Sequence, residues 1–466
     1  FATSIPQTRR AMLCARRTHR LMKARRVYVP GLAALTFAFA AGCLDAPPVD
    51  RPNVVLIVVD TLRADHVGCY GYERNTTPNL DALAADSVRY ARAFSHAPWT
   101  TPAVGALFTS QLPSTLGIRN VQSPLPAEGT TLTELLQQHG FETSAFVSHS
   151  FVSSKWGFAR GFDSFDESNV RGHFAVTSAA ISDGAVDWLD DHAGPQATPF
   201  FLFLHYFDPH FAYVAHEEFP FGRDPSYEGP VHGGILPEKF REDPSVLRDE
   251  DLRELIRLYD AEIAVTDRAI GRVLERLRSL GLYDSTIVVV AADHGEEFLD
   301  HGQLDHTKTL YEELVRVPLI VRVPGVEPAV IDAPVALIDV YPTLTTQLGI
   351  EPPPDLVGRP LPSSPTEEPA AARRAIFLET ARLENLRAVV EGDHKLIVDQ
   401  ESGRAWLFDL ATDPHERVDL SRREPERTAQ LRQRIDQWPG EAPRTTTPDV
   451  ELTDEERERL RALGYL

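Results

Sequence analysis

The six residues Val54-Val55-Leu56-Ile57-Val58-Val59 contain nothing polar, and the run stops abruptly on Asp60. An apolar run without alternation has to be covered on both faces, and one this short fits a strand inside a parallel sheet. The pattern returns at Thr286 to Ala291, ahead of Asp293-His294-Gly295, and at Phe200 to Leu204, ahead of His205. Between about Leu247 and Leu280, Leu252, Ile256, Tyr259, Ile263, Ile270, Leu274 and Leu277 recur at helical spacing. Strands alternating with amphipathic helices predict an α/β fold, a central and mostly parallel sheet flanked by helices. In such sheets chemistry gathers at the carboxyl ends of the strands, where Asp60, Asp293 and His294 stand.

The predicted catalytic domain spans 52–350, behind a short proline-containing linker at 44–51. A proline-rich stretch over 351–372 predicts a second linker. Strand-like pieces at Ala375 to Leu378, Ala388 to Val390, Lys395 to Val398 and Ala405 to Leu410 follow, then a helical segment from about Glu424 to Trp438. They predict a smaller antiparallel α+β subdomain over 373–440. Within 441–466, Leu460, Leu463 and Leu466 mark one side of an amphipathic tail helix from about Leu452.

Residues 1–42 hold eight Lys or Arg and no Asp or Glu, so their removal would take the net charge from −21 to −29. Residues 1–43 read as an export signal. Met22-Lys23-Ala24-Arg25-Arg26 gives a positive start, Gly31 to Ala41 an apolar run too short to span a bilayer, and Ala40-Ala41-Gly42-Cys43 a small-residue site before cysteine. As in a bacterial lipoprotein signal, this predicts cleavage before Cys43 and tethering to an envelope membrane by a lipid on Cys43. A plain secretory signal or a short membrane anchor is the alternative. With Cys14 removed and Cys43 acylated, Cys69 stands alone and no intramolecular disulfide forms. The acidic balance excludes nucleic acid as a partner, because such binding needs a basic face.

Two carboxylates and an imidazole at the ends of two buried strands are plausible ligands for a divalent metal, although each acid alone reads as a strand cap. The segment Pro98-Trp99-Thr100-Thr101-Pro102 then opens a helical pattern. Thr100 fits the N-cap and Pro102 the first turn. A hydroxyl there faces free amide donors where an anionic ester would settle, and a metal beside it would lower its pKa and create a nucleophile. Standing alone, Thr100 would be a helix cap.

Several motifs occur together and in order: Asn53 to Asp60, Thr77-Pro78-Asn79-Leu80-Asp81, Arg160-Gly161-Phe162-Asp163, Pro199-Phe200-Phe201-Leu202, Asp208-Pro209-His210, Asp293-His294-Gly295-Glu296, Arg316-Val317-Pro318-Leu319-Ile320 and Asp339-Val340-Tyr341-Pro342-Thr343. With them the chain resembles the sulfatase family of the alkaline phosphatase superfamily from about Pro52 to Trp438. The late Leu407-Phe408-Asp409-Leu410 and Asp413-Pro414-His415-Glu416 resemble that family's C-terminal subdomain. Departures accompany the likeness. Thr100 stands where the family has a Cys or Ser oxidised to formylglycine, with Ala103 and Val104 at its Ser and Arg positions. Thr61 replaces a second aspartate, and His294 an asparagine.

These departures are similar to the phosphoethanolamine transferases and lipoteichoic acid synthases, which use a Thr nucleophile and one transition metal. The resemblance implies that Asp60, Thr100, Asp293 and His294 bind one divalent metal, with Mn or Zn favoured over Ca by the imidazole. It implies that His210 and His306 contact the anionic group, and it sets Lys308 near the family's catalytic lysine. His205 and His301 are further candidates, against surface or structural roles. The expected activity is hydrolysis or transfer of a sulfate or phosphate ester of a small molecule, glycan or lipid, with Thr100 favouring phosphodiester or phosphonate chemistry. A true sulfuric ester hydrolase of the arylsulfatase kind is one alternative. An inactive lipoprotein that binds anionic glycans or lipids is another.

Overall fold

The computed structural model describes residues 51–170, 176–192, 198–222, 224–234, 239–240, 243–367, 374–438 and 447–462. The export signal, Cys43 and all of the first linker but Arg51 lie outside them, as do 368–373, 439–446 and the last four residues of the tail. The described residues belong to one compact unit that starts at Arg51. Among them, no helix is long and apolar enough to cross a membrane.

Eight strands form the main sheet. From one edge the order is Ala329–Ile331, Val88–Tyr90, Leu319–Arg322, Thr286–Ala292, Asn53–Val59, Phe200–Tyr206, Glu142–Val147 and Ser164–Asp166. All pairings are parallel except those made by Leu319–Arg322. The three apolar runs found in the sequence occupy the centre, where neighbouring strands and helices cover every residue from Val54 to Val59. The β-branched side chains of Asn53–Val59 and Thr286–Ala292 are stiff at χ1 and suit the pleated surface. The Asp249–Ser279 helix packs with Ser178–His192 and Pro78–Ala84, and the Thr100–Thr109 helix with Leu132–Gln138 and Val340–Gln347.

A second sheet of four antiparallel strands, Ala375–Thr380, Leu386–Glu391, His394–Asp399 and Ala405–Asp409, follows. Alternation decides its two faces. Val389, Leu396, Val398 and Leu407 meet Leu431 and Ile435 of the Pro425–Asp436 helix. Ile376, Leu378, Ala388 and Val390 pack with Phe94, Ala106, Leu310 and Leu314 of the larger layer. The described part of the tail helix is Asp454–Ala462, and Leu460 is buried against the main core.

The proline-rich stretch after 350 is fastened along much of its length. The Val357 N–H donates to the Ser110 carbonyl, Gly358 N–H to Ser110 Oγ, Arg359 N–H to Asp339 Oδ1 and Leu361 N–H to Thr343 Oγ1. A Cβ on Gly358 would lie 2.1 Å from the Ile338 carbonyl oxygen, so only glycine fits this approach.

Candidate metal and nucleophile site

Parallel register assembles the site. Val59 pairs with Ala292 and Val58 with His205, so Asp60, Asp293 and His205 emerge at the same end of three adjacent strands. The Asp60 N–H donates to the Tyr206 carbonyl at 2.9 Å, holding that end together. One ligand atom from each of Asp60, His205 and Asp293 falls within 4.8 Å of the others. His294 closes the group, with Nε2 at 3.4 Å from Asp60 Oδ1 and 3.5 Å from Asp293 Oδ2. Its Nδ1 lies 2.9 Å from the Gly295 carbonyl, which can only accept, so Nδ1 carries a hydrogen and Nε2 is the nitrogen turned to the acids.

Thr100 is the first residue of its helix, and Trp99 holds the N-cap position. This corrects the expected cap by one residue. The Thr100 hydroxyl lies 3.4 Å from His294 Nε2. Thr61, where a second acid was expected, has φ 53° and directs its backbone N–H to Asp293 Oδ1. Left-handed backbone at a β-branched residue is a local strain of the kind that collects at functional sites.

A crescent of imidazoles surrounds this group. His306 is 4.6 Å from His294 and 4.9 Å from His210 by ring centroids, and His149 is 5.5 Å from His210. His149 Nε2 also reaches within 3.8 Å of Asp60 Oδ2. His306 Nδ1 contacts Glu296 Oε1 at 3.0 Å, and the Tyr213 hydroxyl donates to the other Glu296 oxygen. His210 Nδ1 donates to the Phe211 carbonyl at 2.7 Å. Lys308 turns to Gln303 Oε1 at 3.3 Å, so His306 rather than Lys308 faces the crescent. His301 is structural: it stacks on Tyr311 and pairs with Glu313 at 2.7 Å.

Burial dominates the electrostatics. The Asp60 carboxyl is held well above the usual range, first by burial and then by the charges of Asp293 and Glu296. Burial also raises Asp293 and pushes Glu296 up to about 7. His205 is pushed down to about 3 by burial and then by His294. His306 is depressed well below its ordinary value by burial, then by the charges of His294, Arg382 and Lys308.

Among the described residues, both Asp60 oxygens, Asp293 Oδ2 and both His205 nitrogens are buried without a hydrogen bond. Such atoms are expensive to bury bare. Carboxylate and imidazole donors converging on one point fit a divalent transition metal.

Of the residues named from sequence, the structure gathers Asp60, Thr100, His205, His210, Asp293, His294 and His306. His149 was missed. Its signal was a His two residues beyond the Glu142–Val147 strand, whose mixed composition hid the strand itself.

The sulfatase family profile matches residues 52–350, and the profile of the N-sulphoglucosamine sulphohydrolase C-terminal region matches 299–439. An ulvan-active sulfatase of Formosa agariphila is 27% identical over 413 residues, covering 79% of this chain and 77% of the relative. The solved phosphonate monoester hydrolase of Agrobacterium radiobacter superposes with TM-score 0.69 at 21% identity, covering 83% of this chain and 95% of that one. A structure solved with its substrate D-glucosamine-2-N,6-O-disulfate gives TM-score 0.68 at 19% identity, over 83% and 97%. The first profile alone spans well over half of the sequence and takes in every strand of the main sheet, and on that ground the chain belongs to the sulfatase family of the alkaline phosphatase superfamily, as a hydrolase of ester bonds.

Proposed function

We propose that Thr100 is the nucleophile of a metal-dependent hydrolase or transferase, and that one divalent cation, Mn or Zn in preference to Ca, is held by Asp60, Thr100, Asp293, His294 and His205. The observation that carries this reading is the 3.4 Å approach of Thr100 Oγ1 to His294 Nε2, beside carboxylate oxygens that make no hydrogen bond. When bound, such a cation supplies Lewis acidity at the threonine oxygen and offsets the carboxylate charge. The Thr100 hydroxyl loses its proton to water as its oxygen bonds to phosphorus or sulfur, the bond to the leaving oxygen breaks, and the departing alcohol takes up a proton in exchange. Backbone N–H groups at the start of the Thr100–Thr109 helix, with His210 and His306, stabilise the non-bridging oxygens. Glu296 orients His306, and Lys308 adds positive charge beside it. Water, or an acceptor hydroxyl, then releases the group from Thr100.

Threonine cannot become formylglycine, so the hydrated-aldehyde route is closed to it. A phosphorylated or phosphonylated threonine remains open to attack by water at phosphorus. This chemistry favours phosphodiesters or phosphonate esters, and the phosphonate monoester hydrolase among the structural relatives agrees with it. The ulvan-active sulfatase and the glucosamine disulfate complex favour a second reading, a sulfate ester on a glycan. A panel of 4-nitrophenyl sulfate, phosphate, bis-phosphate and phenylphosphonate, assayed with Mn and Zn, separates the two. Phosphonate or diester turnover above sulfate turnover is expected, and efficient sulfate release without phosphoesterase activity overturns the preference. Export and lipid tethering through Cys43 complete the proposal, placing the site in the bacterial envelope.

A further inference from the structure

A cavity of about 180 Å³ opens beside Trp99, the residue before the nucleophile. One wall carries Ser114 and Arg119, and the other carries Glu379, Thr380 and Arg387 from the first two strands of the smaller sheet. Hydrogen bonds join this second wall to the catalytic layer. Thr380 Oγ1 donates to the carbonyl of Thr307, and the Thr307 N–H donates to the carbonyl of Pro98, two residues before Thr100. The cavity and the nucleophile therefore share one frame.

Two guanidinium groups, those of Arg119 and Arg387, line this cavity on a chain of net charge −21. Arg387 is braced over the Trp438 ring at 4.8 Å, and Arg382 lies 5.7 Å from the centroid of Trp99. Arg119 is exposed at the rim, where it and Arg387 both act on Glu379. Glu379 is buried and accepts the Ser114 N–H at 2.7 Å. Two arginines against one carboxylate leave the cavity positive, whereas the group beside Thr100 holds the acids Asp60 and Asp293. An anionic ester approaching an acidic protein is drawn to such a place, and guanidinium groups bind a carboxylate, sulfate or phosphate through paired N–H donors.

We infer that this cavity is a subsite for a second anionic substituent of the substrate, read by Arg119 and Arg387 while the reacting ester lies at Thr100. The inference rests on the proposed ester chemistry at Thr100 and deepens it: the preferred substrates carry at least two anionic groups, one of which does not react.

The test compares the wild-type protein with an Arg119→Gln/Arg387→Gln double variant and with Glu379→Gln. The 4-nitrophenyl ester that the wild type turns over best reports basal activity. Inhibition of that reaction is measured with a disaccharide bearing one uronate and one sulfate ester, with the same disaccharide after reduction of its carboxylate to an alcohol, and with a disulfated disaccharide lacking the uronate. In the double variant, Ki for the uronate and disulfated probes should rise about tenfold, while basal kcat/KM and Ki for the reduced probe stay within about twofold. Glu379→Gln should tighten both dianionic probes, a gain that misfolding cannot imitate. Equal wild-type inhibition by the uronate and reduced probes, or an unchanged Ki in the double variant, overturns the subsite. A wild type inactive on every nitrophenyl ester counts against the ester chemistry instead, and calorimetric titration with the same disaccharides then decides the subsite.

Discussion

Asp60 and His205 stand on adjacent strands with none of their four side-chain polar atoms in a hydrogen bond, both fully buried. The proposed role of metal ligand fits such an imidazole, because a core histidine usually finds a partner for at least one nitrogen.

The pair makes a two-sided prediction. His205→Leu should weaken the affinity for Zn or Mn at least about tenfold, read by competition with a chromogenic chelator. The same substitution should stabilise the metal-free protein by about 1–3 kcal/mol, because it removes two unsatisfied buried atoms. A residue with only a packing role would leave metal content untouched, so a stoichiometric metal in His205→Leu counts against the assignment. Asp293→Ala and His294→Ala should abolish the metal.

The buried Lys395 ties the smaller sheet to the larger layer. Its ammonium lies 3.1 Å from Glu312 and 3.0 Å from Glu416. Lys395→Ala leaves both carboxylates without a counter-ion and should cost about 3–5 kcal/mol, visible as a lower urea midpoint at neutral pH. Burial already pushes Glu416 up to about 7. A carboxyl raised in the folded state contributes stability below its unfolded pKa of about 4.3, and that contribution is lost as pH climbs through the folded value. The deficit of the variant should therefore shrink on acidification from neutral pH toward about 4.5. A deficit that does not change over this range would show that the carboxylates stay ionised without Lys395.

Cys43 carries the export proposal. Expressed in a bacterial host with its own leader, Cys43→Ser should accumulate as an uncleaved precursor, while the native protein should yield an acylated N-terminal peptide by mass spectrometry. Native protein that retains residues 22–42 would contradict lipid tethering.

The central strands were legible because Val54–Val59 and Thr286–Ala292 have one physical solution, burial on both faces, and their terminal acids came with them. His205 was harder to assign. It sits inside the Phe200–Tyr206 strand, and its meaning depends on the register with Val58, which no local pattern contains. The proline-rich stretch also carries structure that its composition does not show. The N–H groups of Val357, Gly358, Arg359 and Leu361 are taken up by Ser110, Asp339 and Thr343, so the part of the linker that holds them is fastened. At His306 and Lys308 the two candidates are two residues apart in a loop, and only the contact of His306 with Glu296 settles which one faces the crescent.

Thr100 bears the sharpest test. A free threonine hydroxyl is a weak nucleophile, and it needs the cation and the helix amides to lower the barrier by several kcal/mol. The structure leaves its oxygen toward His294 rather than in a capping bond, so deleting it removes the proposed nucleophile without removing a cap. Thr100→Ala should therefore lose activity by at least about a thousandfold while its thermal midpoint stays within a few degrees of wild type. Thr100→Ser keeps the oxygen but gains rotamer freedom where Thr is stiff, and it should retain a measurable fraction of kcat. Rapid acid quench of a phosphodiester or phosphonate turnover should leave the transferred group on the peptide containing residue 100, identified by mass spectrometry. If Thr100→Ala matches the wild type, attack comes from elsewhere. A bound water activated at the same metal would then be the nucleophile, and no labelled peptide would be found.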